Sequence, residues 1–267
     1  MRADLRVLVT RPEGSAEALI AGLNRLGFTV THLPMLALEA IDPLPAAERQ
    51  RILDLDLYQH LVFISANAAR FGLAAIDDCW AQYPTGQQCW AVGESTARTL
   101  EAAGLAVNRP EQDMSSEGLL ALEGLQAVAG DKILIIKGEG GRDTLLRQLQ
   151  LRGANVHTLS CYRRVAPDYR DSDSLRRLRE EPPGLVLISS GEGLGNLSRL
   201  LQPQEHTNLA NTALIVPSAR VAEEAAQLGW RCVSCADSAA DASMLDAAER
   251  WALRSESEGA GESSIID

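Results

Sequence analysis

The sequence predicts an α/β protein with two similar parallel-sheet domains of the flavodoxin-like or Rossmann-like kind, with a cleft between them. Two observations carry this prediction. A segment near the start of the chain recurs in its second half, and short apolar strands alternate with amphipathic helices along both copies. With 267 residues, the chain is long enough for two domains of ordinary size.

The repeat is visible as a nearly constant offset between similar segments. Arg11, in the strand and turn that open the chain, corresponds to Lys137 at a step of 126 residues. Further along, residues 61–65 correspond to residues 185–189 at a step of 124. An offset this constant over several landmarks indicates duplication of one unit.

Each copy alternates strand and helix. Apolar residues recur at three- and four-residue spacing over residues 15–26, which predicts an amphipathic helix, and Gly27 marks its end because glycine adopts a left-handed backbone conformation at little cost. Residues 61–64 and 185–188 are continuously apolar, as strands buried on both faces of a parallel sheet are. This alternation favours parallel sheets covered by helices on both faces.

Charge and hydropathy exclude several classes of protein. The net charge of −11 disfavours nonspecific binding to nucleic acid. The sequence has no apolar run of about eighteen residues, the length that spans a membrane, and its N-terminus lacks a signal-peptide pattern, so we expect a cytoplasmic protein. Because the segment from Ser255 onward is too polar to bury, we expect residues 254–267 to form a disordered tail.

The sequence offers no metal or redox site. Five cysteines make an odd number, as expected where thiols stay reduced. Cys232 and Cys235 have the spacing of half a zinc site, but no second pair of Cys or His ligands accompanies them, which favours a structural role. The glycine-rich residues 138–141 fit neither nucleotide-binding fingerprint in their spacing. We therefore expect neither a metal nor another cofactor.

What remains is a set of small polar residues at the ends of predicted strands, where helices begin. Helix starts present free backbone N–H groups, and ligands usually bind at the carboxyl edge of a parallel sheet, so this pattern favours an anion site. Each residue alone is more often a plain helix cap, but several equivalent positions facing one cleft make binding a competing interpretation. The candidates are Ser65, Asn67, Ser95, Thr96, Ser189, Ser190 and Ser218, with the glycines Gly138 and Gly191.

Tyr162 is the candidate for proton chemistry because it directly precedes two arginines at the end of a predicted strand. A packed aromatic is the more common role of such a residue. A phenol at a domain joint could instead donate a proton or orient a ligand. The residues by themselves leave both roles open.

Several of these segments resemble the uroporphyrinogen-III synthase family. In the first half the resemblance lies in Val-Leu-Val-Thr-Arg-Pro at 7–12, Phe-Ile-Ser-Ala-Asn-Ala at 63–68 and Ala-Val-Gly-Glu-Ser-Thr-Ala-Arg at 91–98. In the second half it lies in Lys-Gly-Glu-Gly-Gly-Arg at 137–142, Ser-Cys-Tyr-Arg at 160–163 and Val-Pro-Ser-Ala-Arg-Val-Ala at 216–222. The ordered set carries the resemblance, which extends over roughly residues 5–250.

The resemblance implies a function. Members of that family convert hydroxymethylbilane, a linear tetrapyrrole, to cyclic uroporphyrinogen III with loss of water and inversion of the last pyrrole, and they use no cofactor. The resemblance also implies a monomer that takes its substrate from the upstream bilane-forming enzyme. A cytoplasmic two-lobed protein that binds an anionic small molecule is the alternative that the sequence leaves open.

The resemblance further implies domain boundaries and residue roles. A two-stranded linker would join a discontinuous domain over 1–38 and 166–253 to a second domain over 39–165. Tyr162 would help the hydroxyl group leave, while Thr96 and the strand-end serines would contact the substrate.

Charge sets a condition on binding, since the implied substrate carries eight carboxylates and the chain is itself strongly acidic. Hydrogen-bond donors near the binding site must therefore outweigh the repulsion between the substrate carboxylates and the negatively charged chain. We expect these donors to be backbone N–H groups at the helix starts, helped by Arg11, Lys137 and Arg220.

Overall fold

A computed structural model describes residues 5–141, 143–169, 172–201 and 212–262. The chain divides into two compact units, hereafter unit 1 (Met1–Ala37 with Val165–Asp267) and unit 2 (Leu38–Arg164). These boundaries lie within one residue of those expected from the sequence, apart from the tail. That each unit folds independently, and that a cleft separates them, stay predictions.

Strands and helices alternate along the described residues. The strands are β1 (Arg6–Val9), β2 (Thr29–His32), β3 (Ala37–Ala40), β4 (His60–Phe63), β5 (Gln88–Ala91), β6 (Val107–Asn108), β7 (Lys132–Gly138), β8 (Asn155–Val165), β9 (Leu185–Leu187), β10 (Ala213–Val216) and β11 (Val233–Cys235). The α-helices are α1 (Glu17–Arg25), α2 (Ala46–Leu53), α3 (Ala66–Asp77), α4 (Glu94–Ala102), α5 (Ser116–Leu120), α6 (Thr144–Leu151), α7 (Asp173–Glu180), α8 (Gly191–Leu200), α9 (Ala219–Gln227) and α10 (Asp241–Glu262).

Each unit is built on one sheet. In unit 1 the strand order is β11-β10-β9-β1-β2, and every neighbouring pair is parallel. In unit 2 the order is β3-β8-β7-β4-β5-β6, and the pairs from β8 to β6 are parallel. The predicted α/β fold with two mainly parallel sheets is therefore confirmed.

The two units share one strand order, and each takes strands from both copies of the repeat. The offsets in the sequence relate β1 to β7, β4 to β9 and β5 to β10, so β11-β10-β9-β1-β2 in unit 1 corresponds to β6-β5-β4-β7-β8 in unit 2. Unit 1 joins two strands of the first copy to three strands of the second, whereas unit 2 joins four strands of the first copy (β3 to β6) to two of the second (β7 and β8). The chain passes between the units at the neighbouring strands β3 and β8.

Helices cover both faces of each sheet, as the continuously apolar strands predict. Along β7, Leu134 and Ile136 pack in the core on the α3 side, whereas Ile133 and Ile135 pack with the leucines of α5 and α6. Side chains alternate in this way because successive residues of a strand point to opposite faces of the sheet. The carboxyl edge of the sheet is therefore bordered by side chains from both faces.

Helix boundaries differ from expectation at two places. The first helix begins at Glu17, two residues later than expected, and its N-cap position is Ala16, which has no side-chain oxygen to cap it. The last helix continues to Glu262, so the expectation of disorder from residue 254 is wrong up to that point. Extending an existing helix gains one hydrogen bond per residue fixed, so polar composition alone does not end it. Residues 263–267 lie outside the described part of the chain.

Among the described helices, none is long and apolar enough to cross a membrane.

A buried polar network at the amino edge of the unit 2 sheet yields a stability prediction. The indole N–H of Trp90 donates to Nδ1 of His60 at 3.1 Å, and His60 Nε2 lies 3.1 Å from a carboxylate oxygen of Asp131. Trp90→Phe would leave the buried Nδ1 without its donor, and we expect the free energy of unfolding to fall by about 1–3 kcal/mol beyond the packing loss. Urea unfolding followed by circular dichroism measures it.

Trp230→Phe is the matched control. Trp230 is as buried as Trp90, but its indole N–H has no hydrogen-bond partner in the described structure, so the same change removes no hydrogen bond. Equal losses of stability in the two variants would show that the His60 network contributes nothing.

Candidate functional site

The carboxyl edge of each sheet contains one point at which the chain order reverses, and ligands of parallel α/β sheets bind at such points. In unit 1 this point lies between β1 and β9, and in unit 2 between β7 and β4. The repeat relates the two points, because β1 corresponds to β7 and β9 to β4. Arg11, Ser65, Lys137 and Ser189 are among the candidate residues that lie at or just after the ends of these four strands.

In unit 1 the structure brings Arg11 and Ser189 together across this point. Arg11 Nε donates to the hydroxyl oxygen of Ser189 at 3.0 Å. The rest of the guanidinium is held by Asp241 at the start of α10 and by the carbonyl oxygen of Ala239, and only 10% of the Arg11 side chain is exposed. Arg11 is therefore a partly buried, ion-paired group at the strand end.

Two helix starts flank this pair. Ser190 is the N-cap of α8, and its hydroxyl accepts the N–H of Gly193 at 3.1 Å. Ser218 is the N-cap of α9, is exposed, and makes no capping bond with its side chain. Gly191 follows Ser190 at a position where a Cβ atom would collide with Glu224, which is ion-paired with Arg220.

In unit 2 the same level of the sheet holds Ser65 and Tyr162. Ser65 is the N-cap of α3 and accepts the N–H of Ala68 at 3.0 Å. Its hydroxyl oxygen lies 3.3 Å from the phenol oxygen of Tyr162. Tyr162 is on β8, which is separated from β4 by β7. Tyr162 is 7% exposed, so its phenol is a fixed hydroxyl at the edge of the core.

The Tyr162 ring is positioned by two neighbours. The ring stacks on Phe71 of α3, with centroids 5.1 Å apart and planes 20° from parallel. Its other contact is Gly138, where a Cβ atom would lie 2.6 Å from Cζ of Tyr162 and 3.0 Å from its phenol oxygen. A register shift between Lys137 and Gly138 sets β7 against Tyr162 here. Glycine is needed at 138 because the phenol occupies the space of a side chain.

Lys137 lies on the other face of the sheet, apart from Tyr162 and Ser65. Its ammonium group is 3.1 Å from a carboxylate oxygen of Asp143, and 10% of its side chain is exposed. Asp143 occupies the N-cap position of α6 without making a capping bond. The repeat in the sequence makes Lys137 the counterpart of Arg11. In both units this cation is paired with a carboxylate at a helix start.

The start of α4 departs from expectation. Its N-cap is Gly93, so Ser95 and Thr96 belong to the first turn of the helix instead of capping it. Ser95 is exposed, whereas Thr96 is 2% exposed and packs into the core side of the helix. Asn67, in the first turn of α3, is half-buried. Glycine adopts the extended cap conformation and leaves the first N–H groups open to solvent or ligand.

The starts of these helices have backbone N–H groups without a protein acceptor among the described residues. Within the described structure, the backbone N–H groups of residues 66, 67, 94–96, 191, 192 and 219–221 have no protein acceptor. By contrast, Arg11, Lys137 and Arg220 are each paired with a carboxylate. The electrostatics of the described residues therefore favour backbone donors over a clamp of free cations for an anion.

Thiol and metal chemistry find no support in the geometry. Burial raises the pKa of the Cys161 thiol, next to Tyr162, to about 12, so it is not a thiolate nucleophile near neutral pH. Cys232 and Cys235 are exposed free thiols, with Cys232 just outside β11. The described histidines, cysteines and carboxylates form no cluster of three that could hold a metal ion.

Comparison with known proteins identifies the family. The family described as uroporphyrinogen-III synthase HemD matches residues 17–246. The chain belongs to the uroporphyrinogen-III synthase family. The match includes the strand ends of both units, among them Ser65, Tyr162 and Ser218.

Named relatives agree with this membership. The uroporphyrinogen-III synthases of Salmonella typhimurium and Escherichia coli are each 32% identical over 247 residues, covering 91% of this chain and 99% of theirs. Among solved structures, uroporphyrinogen-III synthetase from Helicobacter pylori aligns with a TM-score of 0.57 at 13% identity, over 91% of this chain and 97% of its own. That structural likeness shows the shared fold.

Three residues of the site were missed by sequence reasoning. Phe71 gave no signal beyond helical spacing, and the sequence analysis assigned no role to Asp143 or Asp241. Asp143 could have been found by looking for an acidic residue shortly after Lys137, since a partly buried cation requires a partner. Asp241 lies 230 residues from Arg11, and no local signal connects the two.

Gly138→Ala tests the positioning of Tyr162. The added methyl group would push the phenol away from Ser65, so we expect kcat to fall about tenfold and stability to fall by about 1–3 kcal/mol from overpacking. Steady-state kinetics of uroporphyrinogen III formation, together with thermal unfolding, measures both.

Gly195→Ala serves as the control, because a Cβ atom at Gly195 on α8 meets no atom within 4 Å. This variant should retain full activity and equal or slightly higher stability. Full activity of Gly138→Ala would show that the closeness of Gly138 to the phenol is unimportant for turnover.

Proposed function

We propose that this chain is an enzyme that converts hydroxymethylbilane to uroporphyrinogen III, as a carbon–oxygen lyase acting without a metal or organic cofactor. The observation that carries the proposal is the match of the family over residues 17–246. The paired hydroxyls of Tyr162 and Ser65 at the carboxyl edge of unit 2 support it. A cytoplasmic location stays a prediction.

The chemistry requires one proton and strict control of geometry. The bond between the hydroxymethyl carbon and its oxygen breaks as that oxygen takes a proton, water leaves, and the electron-rich pyrrole supplies the electrons, which gives an azafulvene. The α carbon of the terminal pyrrole that already carries the methylene bridge attacks the azafulvene carbon, which forms one carbon–carbon bond. The older bond from that α carbon to its bridge then breaks and leaves a second azafulvene at the bridge. The free α carbon of the same pyrrole attacks this azafulvene and loses its proton, so the pyrrole ends inverted. The net change is loss of one water.

Tyr162 is the proposed proton donor. Its phenol is held by the ring of Phe71 and the backbone at Gly138, and its oxygen lies 3.3 Å from Ser65. A buried hydroxyl held this way protonates a leaving group at a fixed position, and general acid catalysis of this kind contributes on the order of a hundredfold or more. The remaining rate enhancement comes from holding the substrate in the geometry in which ring closure with inversion is faster than closure without it.

Binding of the substrate carboxylates is proposed for the helix starts. The open N–H groups of α3, α4, α8 and α9 carry partial positive charge, and each start can accept one carboxylate. Ser65, Asn67, Ser95, Ser189, Ser190, Gly191 and Ser218 lie at or beside these starts, which supports their proposed role as substrate contacts.

The activity is tested with hydroxymethylbilane generated by the bilane-forming enzyme. We expect the purified protein to yield the type III isomer, seen after oxidation to porphyrins and chromatography, and to keep that activity after dialysis against a chelator. Heat-denatured protein is the control and should leave the type I isomer, which forms spontaneously.

Formation of the type I isomer alone would contradict the proposal. If the protein binds the bilane or the product without changing the isomer ratio, the two-lobed binding protein is the correct alternative.

A further inference from the structure

A cavity of about 240 Å³ opens in unit 2 on the face of the sheet covered by α6, opposite the Tyr162 face. Its walls are mainly apolar, from Ile64, Ile135, Leu145 and Leu146. Its polar lining is given by Lys137, Asp143, Ser116 and Thr158. Apolar walls with a few fixed polar groups are the usual composition of a small-molecule subsite.

The polar groups of the cavity are arranged around one ammonium group. Nine-tenths of the Lys137 side chain is buried, and the ammonium is paired with Asp143 at 3.1 Å. The hydroxyls of Ser116 and Thr158 line the same cavity and make no hydrogen bond among the described residues, so they remain available to a ligand. The cavity thus offers one cation and two hydroxyls to an incoming acceptor.

Asp143 is placed to release the cation. It occupies the N-cap position of α6 but makes no capping bond, and 46% of its side chain is exposed. An aspartate at an N-cap ordinarily accepts N–H groups of the first turn. A rotation of the Asp143 side chain would therefore exchange one favourable partner, Lys137, for another, the start of its own helix.

We propose that this cavity receives one carboxylate-bearing side chain of the tetrapyrrole, with Lys137 as its ion-pair partner and Asp143 as the carboxylate that it displaces. The inference rests on the proposed function and adds to it a subsite on the α6 face of the unit 2 sheet. The volume suits a single aliphatic arm with its acid group, because a whole drug-sized ligand needs about 300 Å³ or more. A charge-assisted bond to the buried ammonium would hold the arm.

The test is equilibrium binding of uroporphyrinogen III, measured by titration calorimetry under nitrogen, so that no turnover is needed. Lys137→Met should raise the Kd about fivefold to tenfold, because the carboxylate loses its cation. Asp143→Asn should lower the Kd about threefold, because the competing carboxylate is gone. Thr158→Leu fills the cavity with the ion pair intact and should raise the Kd.

Lys132→Met is the matched control, since Lys132 opens the same strand at its amino end, away from the cavity. It removes the same charge and should leave the Kd unchanged. A merely structural ion pair predicts that Lys137→Met and Asp143→Asn lower stability together and leave the Kd alone, which would overturn the subsite. If Lys137→Met fails to fold, the half-exposed Asp143→Asn and the cavity-filling variant decide the question.

The two proposals fail in different ways. Wild-type protein that forms the type III isomer, with variants that bind product equally well, would refute only the subsite. Wild-type protein that forms no type III isomer refutes the enzymatic function, and opposite shifts of the Kd in the two variants would still support a carboxylate subsite. Absence of any product binding by the wild type refutes the subsite, and the isomer assay alone decides the enzymatic function.

Discussion

Tyr162→Phe is expected to lower kcat for uroporphyrinogen III formation about a hundredfold while leaving the thermal midpoint nearly unchanged. The ring would stay in place, because its stacking on Phe71 and its contact with Gly138 do not involve the hydroxyl. Among the described residues, the phenol has one hydrogen bond, the 3.3 Å contact with Ser65, whose loss costs about 1 kcal/mol or less. The expected effect is therefore on protonation, with KM little changed.

Steady-state kinetics with isomer separation checks this prediction. Tyr58→Phe is the matched control, because it removes another phenol of unit 2 whose oxygen bonds to Nδ1 of His157 at 2.8 Å. Its kcat should equal that of the wild type even if its stability falls. Full activity of Tyr162→Phe would return Tyr162 to the role of a packed aromatic.

Ser218→Asp is expected to raise KM about tenfold or more while leaving unit 1 as stable as the wild type or more so. An aspartate caps a helix as well as a serine does and interacts favourably with the positive end of the helix dipole. The same charge would repel a substrate carboxylate that binds the open N–H groups of α9. Opposite signs for stability and binding separate this effect from unfolding.

Gln227→Glu provides the control at the other end of the same helix. Gln227 is the last residue of α9 and is exposed, so the added charge is equal but far from the helix start. It should slightly reduce stability, because a negative charge opposes the dipole there, and should leave KM unchanged. An unchanged KM in Ser218→Asp would show that the start of α9 binds no carboxylate and would favour a clamp of arginines and lysines.

The helix starts show which N-cap residues the local sequence can predict. Ser65, Ser190 and Ser218 occupy N-cap positions, as expected for small polar residues that follow a strand. Ser95 and Thr96 do not, because the glycine before them accepts the extended cap conformation and the helix begins earlier. The sequence does not rank neighbouring N-cap candidates such as Gly93 and Ser95, because a glycine cap is less stable than a serine cap by only a few tenths of a kcal/mol.

The charged residues show where local sequence stops. Arg11, Lys137 and Arg220 are expected to help anion binding, and that role stays a prediction. In the structure each is ion-paired, and Arg11 meets Asp241 from the far end of the chain. The partly buried Arg11 needs a partner, but its carboxylate comes from a residue 230 positions away, so the pairing depends on packing between distant segments. The partners of Lys137 and Arg220 lie six and four positions away.

The sequence by itself determined the α/β class, the duplication and the polar residues at strand ends, because strand periodicity, helix periodicity and cap chemistry act over a few residues. Only the tertiary structure decided that Arg11 pairs with Asp241, and that Lys137 and Tyr162 lie on opposite faces of one sheet. The register shift between Lys137 and Gly138 puts Lys137 and Tyr162 on opposite faces, because a one-residue slip moves a side chain to the other face. Such choices rest on contacts between distant strands, which no local pattern records.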